Sequence, residues 1–417
     1  MSRDEDFGFT STAPAEDLSV CDRCFGDRDI QRFIRNAADS LVCDFCGRHA
    51  RVNAVAAPLT EVVEFMLEAI ERDYGRAVDT LGFESAEGGY QGANWDSDEL
   101  ISDVIELELP NDGDGRLQEV IVECLGDEPW CEQNPYSLAE DERYITSWDN
   151  FCKYVKHERR YFFVRRSRDE QLYEETLSPA KLLRFIGAAC EQSRLLRTLK
   201  KGTLLYRARQ RRIGELLTSG LDFGPPPKEL AVRSSRMSPA GIVMFYGSDQ
   251  VDTAVAEIDD DPTLGISVGT FLITREATLL DLTLLQRPFR FFERQADSDE
   301  LNRDVLSFLN SFVESVASKV EPGNREHVDY VPTQIVTEWF RTTFRHNKSP
   351  IDGICYPSTQ RPGGKSFVLF ADRENIVLTP AQVKKSAGPG PLGEWLVRSR
   401  QESAWLRLVR RRVIRDV

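Results

Sequence analysis

The sequence predicts a multidomain chain: a four-cysteine knuckle, then an α-helical region, then an α+β domain. Three observations carry that expectation. At 417 residues the chain exceeds one ordinary core, since compact domains hold about 100–200 residues. Four of its nine cysteines stand in two C-x-x-C pairs near the start. At Lys200–Gly202 the apolar pattern changes from helical periodicity to short β-like runs with helices between them, the mark of an α+β domain.

The first region, 1–57, is built on Cys21, Cys24, Cys43 and Cys46, spaced C-x2-C-x18-C-x2-C. Each C-x-x-C turn offers two sulfurs from a short backbone knuckle, and tetrahedral zinc takes four thiolates. The expectation is a structural Zn2+ site, closed to substrate, with His49 a weaker substitute ligand. The other five cysteines are scattered, as in a reducing compartment.

Residues 58–200 read as an α-helical domain. Val62, Met66, Ile70, Tyr74 and Val78 keep helical spacing, and "DELISDVIELEL" and "GRLQEVIVECLG" supply two more helices, the second closed by Gly126 in the position just past a helix end. "SWDNFCKYVKHERRYFF" places Trp148, Phe151, Cys152 and Val155 inward. "SPAKLLRFIGAACEQSRLLRTL" carries Ser178 as its cap and Pro179 in its first turn, both favoured there.

Residues 201–380 form the α+β domain. "TLLYRAR", "GIVMFYG", "ISVGTFLIT", "ATLLDLTLL", "DGICYP" and "FVLFAD" are its strands, with helices expected at 249–258, 301–319 and 332–346. Ser248 or Asp249 is placed to cap the first of these. The tail, 381–417, ends in "WLRLVRRRVIRDV" and is expected to be a basic helix docking its apolar side.

The formal net charge of −15 argues against general nucleic-acid binding. No apolar run reaches the roughly 20 residues needed to span a bilayer, and the acidic N-terminus lacks a signal core. A cytoplasmic protein without a membrane partner is expected.

Several residues are candidates for chemistry. Arg207 stands on an otherwise apolar strand, with Arg209 on the same face by alternation. Tyr246 closes another strand. Glu257 flanks the stripe of Val251, Ala254, Val255 and Ile258, about 110° from its centre. Ser358 follows the strand "DGICYP" in a glycine-containing loop, a common turn position. "RPGGKSF" (361–367) is not a phosphate loop, because Thr359 stands where the first glycine belongs and a strand follows in place of a helix. Arg341 and His346 make an R-x4-H spacing on an expected helix, a weak ribonuclease signal.

Taken in order, "LYRAR", "SRMSPAGI", "FYGSDQVDTAVAEI", "YVPTQIVTEWFR" and "DGICYPST" resemble the RES domain, a family named for its Arg, Glu and Ser. The matching residues are Arg207, Arg236, Tyr246, Glu257 and Ser358; Ser235 and Met237 stand where many members have glycine and tryptophan. The stretch "CDRCFGD", the second pair "CDFC" and "WDNFCKYVKHERRYFF" resemble the zinc-knuckle and HEPN-like helical region attached to some RES domains. The helical half places no R-x4-6-H, so HEPN nuclease activity is not implied.

The resemblance implies an ADP-ribosyltransferase-like fold for 201–380 and NAD+ as substrate, degraded by hydrolysis or phosphorolysis in a bacterial toxin or defence effector held in check by an antitoxin or regulatory protein. It also leaves room for an ADP-ribosyltransferase acting on a macromolecule, or an inactive nucleotide-binding, partner-recruiting module. Within it, Glu257 would stabilise the oxocarbenium-like ribosyl centre and Tyr246 would face the flat cationic nicotinamide. Arg207, with Arg236 second, would hold the pyrophosphate. Ser358 would bind phosphate or the incoming nucleophile. Glu257 is then expected to face a cleft shared with Arg207.

Overall fold

The computed structural model describes residues 10–85, 89–161, 176–212, 214–258, 261–294, 303–317, 325–386, 397, 399 and 401–415. The chain divides into two compact units, 1–139 with 289–299, and 140–288 with 300–417.

In the first unit, strand Ser19–Cys21 pairs antiparallel with Ala56–Pro58. Helix α1 (Arg28–Ala37) begins where the Asp27 carboxylate accepts the backbone N–H groups of Asp29 and Ile30, satisfying donors that have no partner within the helix. Helices α2 (Leu59–Asp73) and α3 (Arg116–Leu125) close a core of Ile30, Ile34, Val62, Met66, Ile70 and Ile121. Gly126 ends α3 with φ 81°. The stripe through Tyr74 and Val78 does not hold: α2 stops at Asp73, Tyr74–Arg76 pairs as a strand with Trp130–Glu132, and Val78 is exposed.

The second unit is an eight-stranded mixed sheet with helices against it. Its strands are β1 (Leu196–Leu199), β2 (Leu204–Arg211), β3 (Phe245–Ser248), β4 (Gly265–Ile273), β5 (Ala277–Asp281), β6 (Gly353–Pro357), β7 (Lys365–Leu369) and β8 (Leu406–Arg415), in the order β8-β4-β2-β3-β7-β6-β5-β1. Only β5 and β6 run parallel; the other neighbours are antiparallel. On one face, α4 (Glu140–His157), α5 (Pro179–Gln192), α7 (Arg303–Ala317) and α8 (Val331–Thr342) bury Trp148, Phe151, Ile186, Phe312 and Phe340 with Ile354 and Val368 of the sheet. The other face buries Leu205, Phe245, Phe271, Leu279, Phe367 and Leu369. The short α6 (Val251–Ala256) packs Ala254 on Ala208, Ile266 and Val268.

In this unit one feature bears on the domain bounds read from the sequence and two depart from that reading. Helices α4 and α5, read there as part of 58–200, lie in the unit that holds the sheet, because their apolar stripes find matching partners on α7, α8 and β6. The tail is a strand, not a helix: β4 is buried along nearly its whole length, so its outer N–H and C=O groups need a ladder partner, which β8 supplies. Arg341 lies in α8, but the helix ends at Thr342 and His346 turns instead to Glu191, 2.9 Å away. Positions 162–163, the ends of the expected 301–319 helix and much of 387–400 lie outside the described residues. No helix among the described residues is long and apolar enough to cross a membrane.

Candidate active site

The sheet opens between β2 and β3. These strands share one registered pair, Tyr206 opposite Ser248. Continued pairing would set Arg207 against Gly247 and Ala208 against Tyr246; all four instead line a cavity of about 230 Å³. Its remaining wall includes Arg209, Tyr356, Ser366 and Glu257.

Strand alternation puts Leu205, Arg207 and Arg209 on one face of β2. Arg207 is 9% exposed, and its guanidinium carbon lies 5.2 Å from the Phe245 ring centroid. Among the described residues its buried Nη1 has no hydrogen-bond partner. Burial first, and then the neighbouring Arg209, hold its pKa well below the ordinary arginine value. Arg209 donates from Nη2 to the Gly224 carbonyl at 2.5 Å, while its buried Nε has no partner among the described residues. A buried and a half-buried arginine, each with a buried unused donor, mark a place for an acceptor.

The Tyr246 hydroxyl pairs with Ser238 Oγ at 2.9 Å. Burial pushes its pKa up, against the opposing pull of Ser238 and Arg207, so the ring stays neutral. Glu257 terminates α6. Its Oε1 accepts hydrogen bonds from Ser358 Oγ at 2.5 Å and Ser366 Oγ at 2.9 Å. As a residue it is exposed, with its carboxylate at the rim of the cavity.

The loop from Ser358 to Gly364 is braced for this. The Ser358 N–H donates to the Gly364 carbonyl at 2.9 Å, and Ser358 Oγ accepts from the backbone of Gln360 and Arg361. Arg361 pairs with Asp252 of α6 at 3.2 Å. A Cβ on Gly364 would stand 2.6 Å from Thr253 Oγ1, so the loop seats on α6 only because residue 364 is glycine. Neither expected cap operates at α6: Gln250 occupies the N-cap without a side-chain bond, and Asp249 accepts from the Lys365 N–H.

The structure thus brings Arg207, Tyr246 and Glu257 to one cavity and joins Ser358 to it through Glu257. Arg236 is engaged elsewhere, donating to the carbonyls of Val316 and Ala317 at the end of α7. The sequence reading gave no site role to Arg209, Tyr356 and Ser366. Ser366 was legible in principle, since alternation from Phe367 and Leu369, which face the opposite core, points it toward the α6 side.

In the first unit the four knuckle sulfurs lie within 4.8 Å of one another, with Cys21–Cys24 at 3.8 Å, Cys21–Cys46 at 3.5 Å and Cys24–Cys43 at 3.7 Å. A tetrahedral ion with metal–sulfur bonds of about 2.3 Å needs sulfurs about 3.8 Å apart, so the donor set fits. The Cys21 N–H points at Cys43 Sγ from 3.3 Å, and donation from Cys21 and Cys24 drives the Cys43 thiol down, toward thiolate. His49 stays outside, against the Gly47 carbonyl.

Among known families, the model for HEPN/RES N-terminal domain 1 matches residues 36–169, and that for the RES domain matches residues 204–389. No curated protein and no solved structure matches the chain. With the RES match spanning β2 to β7 and therefore the whole cavity, the chain is a member of the RES-domain family that carries HEPN/RES N-terminal domain 1 ahead of its RES domain.

Proposed function

We propose that this protein consumes NAD+, cleaving the nicotinamide–ribose bond by hydrolysis or phosphorolysis, and acts as a bacterial toxin or defence effector. The observation that carries the reading is the buried Arg207 with an unused donor, sharing a cavity with a neutral tyrosine and a serine-held carboxylate. Loss of nicotinamide leaves positive charge on the ribosyl carbon, and a fixed carboxylate favours that state over the ground state; Glu257 is assigned this part. Tyr246 offers a ring face to the pyridinium. Arg207 and Arg209 meet the phosphate oxygens, which supply the missing acceptors. Ser358 orients Glu257 and borders the path of the incoming water or phosphate. At about 230 Å³ the cavity suits the nicotinamide–ribose half, below the roughly 300–1,000 Å³ of pockets for whole drug-sized ligands. Arg236 takes no substrate role in this scheme. The four cysteines hold structural zinc, and a cognate antitoxin or regulatory protein restrains the enzyme.

The test is to incubate the purified protein with NAD+, with and without phosphate, and follow free nicotinamide. Glu257→Gln is expected to lower the rate by about 10²-fold or more, the scale of losing a principal charge-stabilising group. Measurable NAD+ binding without nicotinamide release would sink the degradative reading, and ADP-ribose on a macromolecule would reassign the chain as a transferase.

A further inference from the structure

We infer that Ser366 is a positioning residue for the Glu257 carboxylate, an inference that rests on the catalytic reading of Glu257 above. Ser366 lies in β7, between Ser248 of β3 and Tyr356 of β6 in register, and is 3% exposed. Its strand neighbours Phe367 and Leu369 go into one apolar core and Val368 into the other. A hydroxyl there must find a partner or lose its hydration unrepaid. Its partner is Glu257 Oε1, at 2.9 Å.

Ser358 binds the same oxygen, at 2.5 Å. Two hydroxyls on Oε1 fix the plane of the carboxylate, and among the described residues no hydrogen bond falls on Oε2, which is left for the ribose. The two serines differ in kind. Ser358 Oγ also accepts two backbone N–H groups of its own loop, so removing it disturbs the loop as well. Among the described residues Ser366 Oγ bonds Glu257 alone, and it sits on a central strand of the sheet. It is therefore the cleaner clamp, holding an end-of-helix glutamate to the sheet across the cavity, where a small misplacement of a reacting group is expensive.

The experiment compares wild type, S366A, E257Q and the double variant for nicotinamide release, with S366T as the hydroxyl-retaining control and a thermal melt on each. S366A removes one oxygen. We expect its kcat to fall about tenfold with KM within about twofold, as for an interaction realised at the transition state. S366T should recover most of the rate, and S366A should add nothing in the E257Q background. If E257Q is inactive while S366A keeps wild-type kcat, the positioning role is wrong and the catalytic reading stands. A rise in KM alone would make Ser366 a substrate contact and also overturn it. If E257Q releases nicotinamide at the wild-type rate, the catalytic reading itself falls.

Discussion

Arg207 shows what residue-level sequence reading can and cannot reach. Its place on an apolar strand was legible; its burial was not, because nothing in "LLYRAR" says that β2 parts from β3 after one pair. Arg209 stayed hidden for the same reason, whereas the face of Ser366 followed from alternation and only its partner on α6 did not. Arg236 was assigned to substrate by the resemblance, and in the fold its Nη1 donates to the carbonyls at the end of α7. A buried donor without a partner weakens the fold by about 1–3 kcal/mol, so Arg207 is kept at the expense of stability. Arg207→Met, similar in length and apolar, should therefore raise the melting temperature by about 2–6 °C while weakening NAD+ binding at least about tenfold by calorimetry. A lower melting temperature with unchanged affinity would make Arg207 a structural residue.

At the scale of elements, the sequence delivered those whose pattern is local. The helix stripes of α4, α5 and α7 and the short β runs lie where periodicity put them, and α8 does so up to its end at Thr342. The tail failed because "WLRLVRRRVIR" satisfies two periods at once. Leu406 and Leu408 alternate inward toward β4, yet Leu406, Val409 and Val413 also fit a helical face, and only the buried edge of β4 decides between them. The Ser358–Gly364 loop is the element on which the site most depends, because it carries Ser358 and seats against α6. Gly364→Ala would drive a methyl to within 2.6 Å of the buried Thr253 Oγ1, and a β-branched neighbour in a packed site gives way poorly. The loop should lift and take Ser358 off Glu257. We expect kcat for nicotinamide release to drop more than about tenfold, with the far-UV circular dichroism unchanged; wild-type kcat would show that the loop does not set the carboxylate.

At the scale of the whole molecule, the division of the chain was the least legible feature, since it is set by which apolar faces meet. Composition and C-x-x-C spacing announced a cysteine centre and an α+β domain, but not that residues 289–294 would join the first unit. There Phe292 enters the core of Ile30, Ile34 and Met66, and Arg290 forks onto the buried carboxylate of Asp29 at 2.5 and 2.8 Å. Cys21, Cys24 and Cys43 belong to that same core, so the four-cysteine cluster and the hold on this segment share one packing unit. A structural zinc ion contributes its binding energy directly to folding, and four sulfurs this close have little other reason to converge. Full-length protein should therefore carry one zinc ion per chain by elemental analysis. Calorimetry should show two transitions, with a strong chelator or Cys21→Ser with Cys24→Ser lowering the one belonging to the first unit by more than about 10 °C. The transition of the sheet-bearing unit should move little, because its core draws on none of these residues. A zinc-free protein, or a chelator that leaves both transitions in place, would return the four cysteines to the status of packed thiols.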